Sequence, residues 1–285
     1  QDILDELGLE VPETWAELIG ILPTIQGNNM SLGIPYPSIT APNQSTLYSL
    51  IYQGGGQIYN EEATRTLLNE EEAVQAFDFY TSLYTDYGLP KEFDFISRFR
   101  SGEMPLGIAD FTTFNVLAVS APEIRGLWDF TFIPGTPVIG ADGQPALDRS
   151  AHSQGASCMM VATDSEATKQ QAWAFMKWWV GRDAQVRFGR EIEAVLGASA
   201  RYPTANRQAL RELSWSSYHL WILEDAMREA VGFREVAGGY YTARNITNAV
   251  RRVINNKTDP RETILDYARL IDKEIASKRR EFGLS

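Results

Sequence analysis

The apolar positions along the chain fall mostly into helical stripes, broken by short apolar runs. Asp2 to Leu9 reads as the end of an amphipathic helix stopped by Gly8. Thr14 is placed to cap the next helix, with Trp15, Leu18, Ile19 and Leu22 as its buried stripe. Leu32 to Ile34 predicts a short strand. Pro35, Pro37 and Pro42 then leave Tyr36 to Gln44 as a loop. A helix from Leu47 ends at Gly54–Gly55–Gly56. Asn69 and Glu72 form a variant capping box for a helix with Val74, Phe77, Leu83 and Tyr84 inward. Met104, Leu106 and Ile108 alternate with the period of a strand, and this strand runs into Asp110-Phe-Thr-Thr-Phe-Asn115. Phe130 to Pro134 predicts a strand, and Gly135 to Ser150, rich in Gly and Pro, a loop or crossing. Cys158 to Val161 predicts a buried strand with a buried thiol. Ser165 or Asp164 caps a helix with Ala172, Trp173, Phe175, Met176 and Trp179 apolar, and a helix with Val186, Phe188 and Ile192 inside follows from Asp183. Further helices are predicted around Arg207–Leu213, around Tyr218–Val231 and after Gly238–Gly239. Asp259, Pro260 and Glu262 give a strong start to the last, with Leu265, Ala268 and Ile275 buried.

A chain of 285 residues is long enough for one large or two medium domains with a sizeable core. The formal net charge of −11 argues against nucleic acid or an anionic membrane surface as partner, since each calls for a basic face. Cys158, the one cysteine, cannot form an internal disulfide. His152 and His219, the two histidines, lack a second ligand at metal spacing, so no metal and no cofactor is expected. No apolar stretch is long enough to span a membrane. There is no Gly-x-Ser-x-Gly elbow and no phosphate-binding loop. The acidic pairs at Glu61–Glu62 and Glu70–Glu72 read as turn and helix-start charges rather than a glycosidase pair.

The order of motifs resembles extracellular solute-binding protein family 1, the sugar-type receptors of ABC importers. The segments that carry the resemblance are Leu7-Gly-Leu-Glu-Val-Pro-Glu-Thr-Trp-Ala-Glu-Leu18, the pair Gly55–Gly56 before the helix at Asn69–Gly88, and Phe99-Arg-Ser-Gly-Glu-Met104 leading into Ile108. Gly155 to Val161, and Ala172-Trp-Ala-Phe-Met-Lys-Trp178 with Gln185, complete the series. The resemblance implies an α/β, type II periplasmic-binding-protein-like fold, helix-rich, with the C-terminal lobe and an incomplete N-terminal lobe. Residues 1–150 would form the second lobe, 151–236 would return to the first, and 237–285 would complete the second. In the family the first motif lies about a third of the way along, so the chain reads as a fragment. The returning part would expose apolar surface unless a missing N-terminal segment or another chain covers it. The partners implied are a sugar or small oligosaccharide and the membrane subunits of an ABC transporter. The expected location is extracellular, anchored through the parent protein, or periplasmic.

Ligands of open α/β sheets lie beyond the carboxyl ends of strands, which makes the end of the Met104–Ile108 strand the expected floor of a site. Phe111 and Phe114 offer faces for a sugar ring, or are ordinary core aromatics. Asp110 and Asn115 would meet hydroxyls, although Asp110 also suits a helix N-cap. By resemblance, Asn43 and Gln44 face the cleft with donors and acceptors suited to a polyol; otherwise they are loop residues beside a Ser45 N-cap. Tyr240, Tyr241 and Arg244 would add aromatic and basic groups from the cleft side of a helix start, or would pack and pair on the surface. Trp173, Trp178 and Trp179 read as core, while Trp215, Tyr218 and Trp221 line a cleft or cover the returning segment. A carbohydrate-active enzyme and a helical interaction module are the alternatives to a receptor.

Overall fold

A computed structural model describes residues 2–37, 43–140, 142–232 and 234–284. The predicted loop residue Pro42 lies outside them. The helices are α1 (Asp2–Leu7), α2 (Trp15–Gly27), α3 (Ser45–Gln53), α4 (Glu71–Thr85), α5 (Phe95–Arg100), α6 (Thr112–Ser120), α7 (Glu166–Trp179), α8 (Arg182–Leu196), α9 (Arg207–Leu210), α10 (Ser217–Ala226), α11 (Tyr240–Asn256) and α12 (Pro260–Glu281). Among the described residues, six short strands join them: β1 (Leu32–Gly33), β2 (Leu106–Gly107), β3 (Thr136–Ile139), β4 (Pro145–Asp148), β5 (Ala151–Ser153) and β6 (Ala230–Gly232). The chain divides into two compact units. Gln1–Ala109, Phe132–Ser153 and Glu229–Ser285 form the first, and Asp110–Thr131 with Gln154–Arg228 the second. Residues Asp110–Thr131 therefore group apart from the rest of 1–150, the range read from sequence as a single lobe.

The first unit holds the large core. Thr14 closes a full capping box at the start of α2, its hydroxyl accepting from Glu17 N while the Glu17 carboxylate accepts from Thr14 N. Trp15, Leu18 and Leu22 are buried as the stripe requires, with Ile19 packed at the margin. Ile246, Ala249, Val250 and Val253 of α11 meet Ile264, Ala268, Ile271 and Ile275 of α12, both sets at helical spacing. Asp259 caps α12 through Glu262 N, and α4 packs on both helices and on α3. The box expected at Asn69 does not form: α4 starts one residue later, with Glu70 at the cap and no side-chain bond to it. Ser45 is likewise the first helical residue of α3 rather than its cap.

The strands come in pairs. Leu32-Gly-Ile34 and Leu106-Gly-Ile108 repeat one tripeptide, and β1 and β2 set the two copies parallel and in register. The ring of Phe95 lies across both glycines. A Cβ on Gly33 would stand 2.6 Å from that ring, and one on Gly107 closer still. The strand expected from Met104 is thus confined to two residues, although Met104 itself is fully buried. Gly135 to Ser150, expected as a loop or a crossing between domains, contains the antiparallel hairpin β3–β4, turned through Gly143 at φ 76°. Phe130 to Pro134 forms no strand. The hairpin's base is held by Gln53, 1% exposed. Gln53 Oε1 accepts from Trp15 Nε1 at 2.7 Å and Thr136 Oγ1 at 3.1 Å, while Nε2 donates to Pro134 O at 3.2 Å and Ser150 O at 3.3 Å.

The second unit is all helical, around a smaller core of Leu117, Val186, Leu210, Leu213, Ile222 and Leu223. Cys158 to Val161 is neither a strand nor buried: Cys158 is exposed, as are Met159 and Val161. Ser165 caps α7 as expected, but the apolar stripe of α7 is open, with Trp173, Phe175 and Trp178 each more than half exposed. These tryptophans were expected in a core. The pattern marks a face that needs cover, and no described residue covers it.

Replacing Gln53 with Leu is expected to lower the unfolding free energy by about 2–4 kcal/mol, because it strands buried donors and carbonyls at about 1–3 kcal/mol each. Urea denaturation checks this, and a loss below about 1 kcal/mol would show that the amide is not holding these elements.

Candidate ligand-binding site

The nine residues singled out from the sequence divide between the units. Asn43, Gln44, Tyr240, Tyr241 and Arg244 belong to the first, and Asp110, Phe111, Phe114 and Asn115 to the second.

In the first unit, a hydrogen bond brings the loop before α3 to the start of α11. Gln44, 7% exposed, donates from Nε2 to Ala243 O at 3.0 Å and Thr247 Oγ1 at 2.8 Å. Its donors are spent on position rather than left for a ligand. Asn43 Oδ1 accepts from Ser45 N and Ser45 Oγ, so Asn43 shapes the turn into α3. Tyr240 is exposed and its hydroxyl donates to Glu274. Tyr241 is half-buried. Arg244 is exposed, and its guanidinium has no partner among the described residues. It is the uncommitted cation of this group.

Beneath α11 lies a tyrosine layer that the sequence reading missed. Tyr59 donates to Thr242 Oγ1 at 2.7 Å, and Tyr48 meets the His152 ring edge-on at 5.0 Å between centroids. Burial pushes the Tyr52 and Tyr59 hydroxyls up to about 12 and the Tyr48 hydroxyl well above its usual value. They remain neutral hydrogen-bonding groups across the physiological range. His152 N donates to Ser49 Oγ, and β5 pairs parallel with β6 beside α3.

In the second unit, Phe114 is the centre of an aromatic cluster. Its ring lies 5.3 Å from Trp128, 5.1 Å from Phe130, 5.8 Å from Trp215 and 4.8 Å from His219. Phe111 joins through Trp215 at 6.3 Å. The Arg201 guanidinium lies 4.6 Å over the Trp215 ring and is held there by Glu193. Asn115 Nδ2 donates to Arg201 O at 3.4 Å. Asp110 is exposed and does not cap α6; its carbonyl accepts Thr113 N. Trp215 could be marked in the sequence by its spacing to Tyr218 and Trp221. Arg201 carried no signal, because its partners are distant along the chain. Among the described residues, no three His, Cys, Asp or Glu side chains are grouped to hold a metal ion, and no helix is long and apolar enough to cross a membrane.

The chain belongs to the bacterial extracellular solute-binding protein family, whose model matches residues 1–195. Its fold is that of type II binding proteins. An ABC transporter solute-binding protein of Thermotoga lettingae bound to α-D-tagatose is similar, with 18% identity, a TM-score of 0.69, and coverage of 96% of this chain and 68% of that one. So is the sugar-binding protein MalE of Xanthomonas citri, at 17% identity and a TM-score of 0.69, with 100% of this chain and 69% of that one covered. UgpB of Mycobacterium tuberculosis, in complex with glycerophosphocholine, aligns at 16% identity and a TM-score of 0.62 over 96% of this chain and 66% of that one. No curated protein sequence matches significantly.

A phenol whose pKa rises on folding stabilises the fold fully below its unfolded value near 10, and that contribution is lost as pH climbs toward its folded value. Unfolding free energy is therefore expected to fall between pH 10 and about 12, the value to which Tyr52 and Tyr59 are pushed. Tyr52→Phe and Tyr59→Phe should each flatten the decline. Denaturation curves across that range with unchanged slopes would contradict the burial of these hydroxyls.

Proposed function

We propose that the protein is the substrate-binding component of an ABC importer for a sugar or small oligosaccharide, which it holds and releases unchanged. The observation that carries this reading is the Phe114 cluster: a set of ring faces in a chain of a solute-binding family, with the candidate hydrogen-bonding residue Asn115 beside it. Ring faces suit the C–H face of a sugar, and amides suit its hydroxyls. On this reading the first unit serves as the second lobe of a two-lobed receptor and the second unit as part of the first lobe. Asp110, Phe111, Phe114 and Asn115 are then the ligand contacts of the second unit and Tyr241 and Arg244 those of the first, with Asn43, Gln44 and Tyr240 shaping the surface of the first unit. The ligand-bound form is the state that membrane subunits of the importer recognise. The open apolar face of α7 is covered in the working protein by further polypeptide, and the receptor acts outside the cytoplasm, free or anchored to the membrane.

A thermal-shift panel of neutral mono- and oligosaccharides tests this reading. A true ligand at a hundredfold excess over its Kd adds about 2.7 kcal/mol of stability and raises the melting temperature. Arg244→Ala and Tyr241→Ala are expected to weaken that ligand at least about tenfold, or 1.4 kcal/mol, while the chain stays folded. No stabilisation by any sugar, or release of reducing ends from an oligosaccharide, would contradict the reading.

A further inference from the structure

The pairing of β1 with β2 in the first unit is too small to hold itself. Each strand has two residues, and the second of each is a glycine, Gly33 opposite Gly107. So short a pair makes few ladder bonds, and glycine adds backbone freedom without a side chain to pack. Ile108 N extends the pairing by donating to Gly33 O at 2.8 Å. One aromatic edge bridges the two strands. A Cβ on Gly33 would stand 2.6 Å from Phe95 Cδ2 and 2.9 Å from Cε2, and one on Gly107 would run into the same Cε2 and lie 2.6 Å from Cζ. The glycines leave a slot, and the Phe95 ring fills it across both backbones.

The helix that carries this ring is weakly held. α5 has six residues and none is buried; a helix of that length is not stable alone. Phe95, Ile96 and Phe99 are half-buried, with the two phenyl rings 5.3 Å apart. The helix carries its own start, since the Asp94 carboxylate accepts from Ser97 N at 3.2 Å and from Ser97 Oγ at 2.6 Å. Its far end turns at Gly102, φ 80°, a left-handed conformation that suits a pivot. The floor beneath is firm, with Leu32, Ile34 and Met104 at most 1% exposed. A segment with little buried surface on a well-packed floor opens at a lower free energy than the whole fold. We propose that α5 is a strap and Phe95 its latch: the ring seated over Gly33 and Gly107 keeps β1 and β2 paired, and strap and pairing open together while the core of the first unit stays folded. The chain of β2 runs on through Ile108 to Asp110, so the latch secures the approach to the candidate contacts, but the inference stands without the receptor reading.

The test is amide hydrogen exchange of the full chain, followed by NMR at several low urea concentrations. In the unaltered protein the amides of Ser101, Gly102 and Ile108 should exchange through one opening that urea barely accelerates. The amides of α11 and α12 should exchange only through an opening that urea accelerates strongly. Phe95→Ala should speed exchange at Gly102 and Ile108 at least about tenfold and leave α11 and α12 within about twofold. Gly33→Ala should do the same without altering α5, because the three atoms nearest its new Cβ belong to the Phe95 and Phe93 rings. With the ring gone the new methyl has little left to displace, so the Phe95→Ala, Gly33→Ala double variant should match Phe95→Ala alone within about twofold. If Gly33→Ala does not fold, Phe95→Ala decides against the unaltered chain. Exchange at Ile108 with the urea dependence of α11 and α12, or a Phe95→Ala that speeds all of these amides equally, would make α5 part of the core and overturn the inference. So would a folded Phe95→Ala with Ile108 exchange unchanged, or a double variant in which the two single effects simply multiply.

Discussion

The amide of Gln53 is the joint on which the first unit depends. A primary amide has two donors and an oxygen that accepts twice, and here all are used inside the core. The four partners come from α2, from the base of the β3–β4 hairpin and from the residue before β5. These segments are distant in sequence, and hydrophobic packing alone would let them slide. The amide fixes their register because a buried donor without an acceptor costs more than the bond itself returns. What it fixes matters for function. The chain passes between its two units after Ala109, Thr131, Ser153 and Arg228, and the hairpin held by Gln53 lies between the middle two points.

The same economy of polar groups distinguishes the residues around the candidate site. Gln44, Asn43 and Tyr240 have partners within the fold, so they hold surfaces in place. The side chains of Arg244 and Asp110 have none among the described residues. The second unit sets its rings through the Glu193–Arg201–Trp215 stack, which orders Phe111 and Phe114 without exposing a net charge.

Much of the first unit was legible in the sequence because its helices carry their own stripes and stops. The capping box at Thr14, the Asp259–Pro260 start and the apolar spacing of α11 and α12 are local signals, and each matches the fold. The second unit was less legible, for a physical reason. Hydrophobic spacing reports which face of α7 seeks cover but not whether cover is present, so Trp173 and Trp178 were placed in a core they do not occupy. Cys158 to Val161 failed in the same way. The β3–β4 hairpin was hidden by its glycines and prolines, which read as loop although they also serve a short two-stranded arm. Of the candidate residues, Phe111, Phe114 and Asn115 were singled out from a strand that runs into aromatics and an amide. Their partners Arg201, Trp215 and His219 lie far along the chain, and only the fold brings them together.

The most direct measurement is an NMR titration that follows the indole N–H signals of the seven tryptophans as neutral sugars are added. The Trp215 N–H should shift downfield and saturate with a sugar whose binding is seen independently, while the Trp173 and Trp178 signals on the open face of α7 stay in place. A bound sugar that leaves the Trp215 signal unmoved would contradict the placement of the ligand at the Phe114 cluster.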